Sequence, residues 1–432
     1  MKIRLLWISL LIITAARSAY AQQDTQLQAL SAPKPSANFM EWDHLTGNWW
    51  GLRDKLADRG VKFDLTYFAE VWGNPTGGFS QGAVYTGLGI LSSTVDFEKL
   101  AGWKGASFHT SWLWLSGQDI SQDYVGNIFT VSNIAGFQTF RMYETWGEQQ
   151  FFNNLISVRA GQLGLDTEFI ISSYGSLFIN STFGWPAFMG SNITNNGPAY
   201  PIGSPGVRLQ IKPTDWLTYR GAITEANVFS QSENRYGFRW ELNSTQGYLS
   251  IHELQFQWNQ SKGLPGTLKT GGWFLTGVFP SPQNPANLDR GNYGFYGILD
   301  QMVYRAPSPP SDGTAGSRDK KQVDVPLSDN GLGIFSRIAF GPEDHNFINF
   351  YVEDGLVYKG LIPERKSDSL GVAMAYGQLS NGYQNYLSDA GFTNPGYEIA
   401  VEFTYQAVIT PWLSIQPDIQ LILHPGGTGT YN

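Results

Sequence analysis

Residues 398 to 407 read Glu-Ile-Ala-Val-Glu-Phe-Thr-Tyr-Gln-Ala. An extended strand here puts Ile399, Val401, Phe403 and Tyr405 on one face and Glu398, Glu402, Thr404 and Gln406 on the other. The same alternation recurs in fifteen segments between residues 61 and 423. Helical spacing is convincing only near Leu52 and Leu56, four residues apart and followed by Gly60. One oily and one wet face on every strand predicts a transmembrane antiparallel β-barrel, with apolar residues toward lipid and polar ones toward the lumen.

The connections support this. Short ones such as Lys-Pro-Thr-Asp-Trp (212 to 216) alternate with long ones such as 164 to 205, and in such barrels short turns face the periplasm and long loops the exterior. A Pro, Ser, Asp and Lys segment at 305 to 330 falls on the short-turn side, where it is either an insertion or the sign of a misplaced strand. Single-chain bacterial barrels have an even strand number, so a count of fifteen leaves one unaccounted for.

The N-terminus is basic, then apolar from Leu5 to Thr14, and reaches Ala19-Tyr20-Ala21. This is the pattern of a secretory signal peptide cleaved after Ala21, and its apolar run is too short for a spanning helix. The expected organisation is a signal peptide at 1–21, a periplasmic lead-in with a short helix at 22–60, and an outer-membrane barrel from 61 to 432. The 15 Trp, 21 Tyr and 27 Phe suit the aromatic girdles of a barrel. The absence of cysteine excludes disulfides and thiolate chemistry, and a net charge of −8 gives no support to nucleic-acid binding. His44, His109, His252, His345 and His424 are scattered, without the spacing of a metal site or a catalytic motif. Neither an enzyme nor a cofactor is expected.

Five motifs then carry a resemblance: Gly-Asn-Trp-Trp-Gly-Leu-Arg-Asp-Lys-Leu-Ala-Asp-Arg-Gly (47–60), Arg-Met-Tyr-Glu-Thr-Trp (141–146), Val-Arg-Ala-Gly-Gln (158–162), Gly-Leu-Val-Tyr-Lys-Gly-Leu-Ile-Pro-Glu-Arg (355–365) and Leu-His-Pro-Gly-Gly (423–427). In order and spacing the chain resembles the carbohydrate-selective porins of the OprB family over nearly its whole mature length. The resemblance implies a sixteen-stranded outer-membrane barrel through which sugars diffuse into the periplasm. Family members continue past the last motif into a closing strand, whereas this chain stops at Thr430-Tyr431-Asn432. The sixteenth strand is therefore expected to be missing from it.

Alternation assigns the lumen two walls. Arg141, Arg159, Arg208 and Arg220 on four consecutive strands form a basic wall, with Glu144 beside Arg141 and with Phe140 and Met142 toward lipid. Glu253, Glu353, Glu402 and Asp418 form an acidic and amide wall opposite. The long loop after the fifth strand carries Asp166, Glu168 and aromatic residues including Trp185, and is expected to fold inward as a constriction that brings them toward Arg141 and Arg159. Such a lining offers donors and acceptors to a hydroxylated solute, so mono- or oligosaccharides and outer-membrane lipid are the expected partners. A general or anion-preferring diffusion porin and a soluble exported β protein are the competing readings. A homotrimer and a monomer both stay open.

Overall fold

The computed structural model describes residues 13–15, 38–242, 247–261, 263–307 and 329–428. The expected signal peptide and the lead-in before residue 38 lie outside the described residues, apart from Ile13–Ala15, as do 308–328 and 429–432. The strands are β1 (Ile13–Ala15), β2 (Val61–Asn74), β3 (Gly82–Asp96), β4 (Ala106–Gly117), β5 (Thr139–Phe151), β6 (Ile156–Leu163) and β7 (Ser204–Thr214). They continue with β8 (Leu217–Glu225), β9 (Tyr248–Trp258), β10 (Gly266–Pro280), β11 (Leu288–Arg305), β12 (Gly331–Phe340) and β13 (Ile348–Lys359). The last are β14 (Ser369–Leu379), β15 (Tyr397–Thr410), β16 (Leu413–Ile415) and β17 (Asp418–Leu423).

All belong to one sheet of 17 strands. From β2 to β15 each pairs antiparallel with the next, and β16 and β17 both pair with β15 as one strand interrupted at Gln416-Pro417. That reproduces the fifteen segments read from alternation. Arg305 pairs directly with Gly331, so the 305–330 segment is an insertion within a hairpin and no strand was misplaced. Helix α1 (Leu52–Asp58) precedes β2 as the spacing required.

An odd count makes β2 and the β16–β17 strand run in the same direction. A strand antiparallel to both fits between them. Ile13–Ala15 takes part of that place, with Ile13 opposite Ala69 on one side and Ile415 on the other.

Outward positions are apolar around the wall: Ile223, Phe274, Ile338, Leu356 and Phe403 are each more than 40% exposed. A continuous belt of this kind would be untenable in water and suits a lipid surface. Aromatic pairs mark both rims. Trp216 with Phe256 and Tyr304 with Tyr358 lie at the short-turn end, and Phe295 with Phe340 and Tyr376 with Tyr397 at the long-loop end. Among the described residues no helix is long and apolar enough to cross a membrane.

Inward positions depart from the expected wet lining. From β9 to β17 they include Leu249, Ile251, Trp273, Leu275, Phe335 and Ala373, all buried. They pack on Phe129, Phe178, Phe183 and Phe188 from two long connections, 118–138 and 164–203, which fold into the barrel. Two glycines on the inner wall make the fit possible. A Cβ at Gly333 would lie 2.0 Å from the Tyr174 ring, and one at Gly371 would lie 2.7 Å from the Phe178 ring.

Candidate functional site

The site is built from a cross-strand row. Register places Glu148 of β5 opposite Arg159 of β6, and Arg159 opposite Arg208 of β7. Two guanidinium groups face to face repel, and two carboxylates resolve the conflict. Glu148 accepts from Arg159 Nε and Nη2 at 3.0 and 2.7 Å, from Arg208 Nη2 at 3.2 Å and from the Ser157 hydroxyl at 2.5 Å. Glu168, arriving on the internal loop (residues 164–203), accepts from Arg208 Nε and Nη2 at 2.8 and 2.9 Å and lies 3.2 Å from Arg159 Nη1. The Arg159 guanidinium also sits 3.6 Å above the Trp146 ring, which stacks on His109. Burial opposes charge on Glu168, but Arg159 and then Arg208 hold its carboxyl down to about 2.

Glu148 was not among the residues expected at the site, for a local reason. Ser111 of β4 pairs with Glu144 and Trp112 with Met142, so Tyr143 is a bulge. A bulge adds one residue and switches which parity faces inward. Above it Arg141 points in; below it Glu144, Trp146 and Glu148 do.

The long loop folds inward, with partners that differ in part from those expected. Glu168 reaches Arg159 as anticipated. Asp166 instead accepts from the Tyr143 hydroxyl and from the Tyr200 N–H. Arg141 stays apart, buried and donating Nη2 to the Asn234 carbonyl at 2.6 Å. Met142, expected against lipid, is 5% exposed because the connection after β8 crosses it, with Met142 N–H donating to the Tyr236 carbonyl. Glu144 accepts from Gly164 N–H and the Thr167 hydroxyl. Arg220 donates to Gln210 and Gln255 and lies 3.9 Å from Glu253.

The acidic wall requires correction. Glu253, Glu353, Glu402 and Asp418 are at most 1% exposed and do not face open lumen. The internal loop covers them, and most hold it. Glu253 accepts from Ile170 N–H at 3.0 Å. Glu402 accepts from Ile179 and Asn180 N–H at 2.6 and 2.8 Å. Glu353 pairs with Arg337, which also donates to the Thr182 and Phe183 carbonyls. Asp418 accepts from Gln420, whose amide also donates to the Val131 carbonyl in the 118–138 connection. Further anchors were missed: Asp300 accepts from the Ser172 hydroxyl and the Ser173 and Tyr174 amides, and Glu398 from the Ile128 and Phe129 amides. The physical cause is common to Glu253, Asp300, Glu398 and Glu402. A loop inside a barrel carries backbone donors that water cannot reach, and inward carboxylates satisfy them.

Burial pushes the Asp166 carboxyl up to about 6, against the hydrogen bonds from Tyr143 and Tyr200. A carboxyl raised from 3.8 to about 6 adds stability that is full below its unfolded value and lost as pH rises through about 6. The loop should therefore resist proteolysis better at pH 5 than at pH 8 on this account. Asp166→Asn should shrink the difference; limited proteolysis of both proteins at the two pH values checks it, and an unchanged difference would remove Asp166 from the explanation.

Beside the plug runs an open cavity of about 1270 Å³. Its lining extends from Phe137 and Arg235 among the long loops, past Phe68, Glu70, Tyr200 and Trp185, to Gln406 and Gln416 in the lower half of the wall. The Trp185 indole donates to the Asn196 carbonyl at 3.1 Å, which leaves its ring along this path. Among the described residues no three of His, Asp and Glu gather as metal ligands.

An antiparallel barrel with an apolar outer belt, narrowed by an internal loop and still open beside it, defines a diffusion channel of the porin class. The chain belongs to the carbohydrate-selective porin, OprB family, whose model matches residues 80–432. It is 27% identical to Porin B of Pseudomonas aeruginosa over 440 residues, covering 92% of this chain and 89% of that protein. It is 22% identical to a putative porin, QuiX, of Acinetobacter baylyi, covering 89% of each. The fold is similar to the high-pH structure of Pseudomonas putida OprB, with a TM-score of 0.76 at 23% identity over 90% of this chain and 96% of that one. The chain is thus a sugar-selective outer-membrane porin, a transport channel rather than an enzyme.

Proposed function

We propose that mono- and oligosaccharides cross the outer membrane through the cavity beside the internal loop, passively and with weak binding on the way. The observation that supports this is the lining itself. Rings at Phe68, Tyr200 and Trp185 offer apolar faces, and Gln118, Asn133, Gln406 and Gln416 offer donors and acceptors that replace water lost by a hydroxylated solute. Binding must stay weak for conduction, because a solute that is held tightly does not leave. In this reading the Arg159 and Arg208 cage fixes the edge of the constriction instead of meeting the sugar directly.

The finer claims belong to the same reading. Residues 1–21 act as a signal peptide removed after Ala21, so that the pairing of Ile13–Ala15 with β2 and β16 belongs to the uncleaved chain only; the lead-in reaches the barrel from the periplasmic side, and the apolar belt contacts outer-membrane lipid. The test is conductance of the reconstituted protein in a planar bilayer while glucose and maltose are titrated. Dose-dependent block by sugar is expected, and Trp185→Ala should weaken it by about two- to tenfold if the ring carries a stacking contact worth about 0.5–1.5 kcal/mol. Conductance indifferent to every sugar would reduce the chain to a general diffusion channel.

A further inference from the structure

The basic wall read from the sequence implies a field that can tilt passage toward anions or neutral dipolar solutes. The structure removes its basis. Arg159 and Arg208 are matched by Glu148 and Glu168, Arg337 by Glu353, and Arg220 stands 3.9 Å from Glu253. Arg141, the remaining member of the wall, is buried and donates to the Asn234 carbonyl, and none of these five arginines lines the open cavity. Among the described residues, the charged ones that line it are Asp119, Asp123 and Asp166, with Glu70 buried behind the Trp72 indole and the Ser132 hydroxyl, against Arg235 alone as a cation. Arg235 stands at the long-loop end over the rings of Phe137 and Tyr236. Asp119 and Asp123 flank Gln122 on the connection 118–138, where Asp119 accepts from Ser121 N–H at 2.9 Å and the Asp123 side chain is exposed.

We infer that the passage prefers cations to anions, and therefore admits neutral and aminated sugars ahead of uronic acids. A narrow path with low-dielectric walls concentrates the field of whichever charges remain unmatched on its surface. Here the guanidinium charge of Arg159, Arg208, Arg220 and Arg337 meets carboxylates within the protein, Arg141 is buried away from the path, and the carboxylates of Asp119, Asp123 and Asp166 remain along it. This rests on the cavity being the conducting path, as proposed above, but not on sugar affinity.

The experiment uses the full protein in a planar bilayer with a potassium chloride gradient, followed by liposome swelling with glucosamine, glucose and glucuronate. The reversal potential is expected on the cation side, with swelling fastest in glucosamine and slowest in glucuronate. Asp119→Asn with Asp123→Asn should lower the cation-to-anion permeability ratio by about two- to threefold. Gln122→Lys, which disturbs neither carboxylate, should lower it in the same direction. A reversal potential at zero or on the anion side overturns the inference, as does a ratio unmoved by both variants. Cation preference without block by any sugar would refute sugar selectivity and leave the charge preference standing.

Discussion

Glu402→Ala is expected to release the internal loop and raise single-channel conductance, with noise where the parent channel is quiet. The carboxylate is fully buried and accepts from both Ile179 and Asn180 N–H, far from either along the chain. Alanine leaves two backbone donors without partners where water cannot follow, at about 1–3 kcal/mol each. Glu402→Gln keeps one acceptor oxygen and should show a smaller rise. The comparison separates loop anchoring from a general loss of fold. Equal conductance in Glu402→Ala and the parent would show that the loop is held elsewhere.

The second large effect is expected at Arg208. Removing its guanidinium with Arg208→Ala leaves Glu148 and Glu168 sharing Arg159 alone, in a site where the four side chains are between 2% and 15% exposed. Breaking a buried pair from one side costs about 3–5 kcal/mol, because the stranded charge keeps its desolvation penalty. The measurement is thermal unfolding of the detergent-solubilised barrel, read as the shift between folded and unfolded mobility on a gel. Arg208→Ala should unfold at a distinctly lower temperature, and Arg208→Met combined with Glu148→Gln should recover part of the loss. An unchanged midpoint would mean that the cage adds no stability.

Much of the wall was legible because alternation is a local property. A strand with one face to lipid must repeat every second residue, so Ile399, Val401 and Phe403 declare their side without any knowledge of the neighbours. What alternation cannot say is what an inward residue meets. Glu253 and Glu402 point inward as read, but toward backbone amides of a loop distant in sequence, not toward water. A signal did exist. On β9 the inward set runs Leu249, Ile251, Glu253, and on β2 it runs Phe68, Glu70, Trp72. One carboxylate among apolar inward neighbours marks an internal ligand, whereas a wet wall would be polar throughout. The bulge at Tyr143 left no comparable mark, since Arg-Met-Tyr-Glu-Thr-Trp alternates acceptably in either parity, and so Glu148 was lost from view.

The apolar packing between the internal loop and strands β9 to β17 has a consequence for the order of assembly. Phe178 and Phe183 meet Phe335, and Asn180 reaches Gln420, 240 residues later. The loop is synthesised early, yet its seat consists of strands synthesised last. Until those strands arrive, its aromatic side chains have no wall to rest on, and the strands in turn have greasy inner faces with nothing to cover them. Neither half is a finished object alone. The conducting path is therefore shaped only at the close of folding, when a membrane-facing shell is completed around what amounts to the core of a soluble protein.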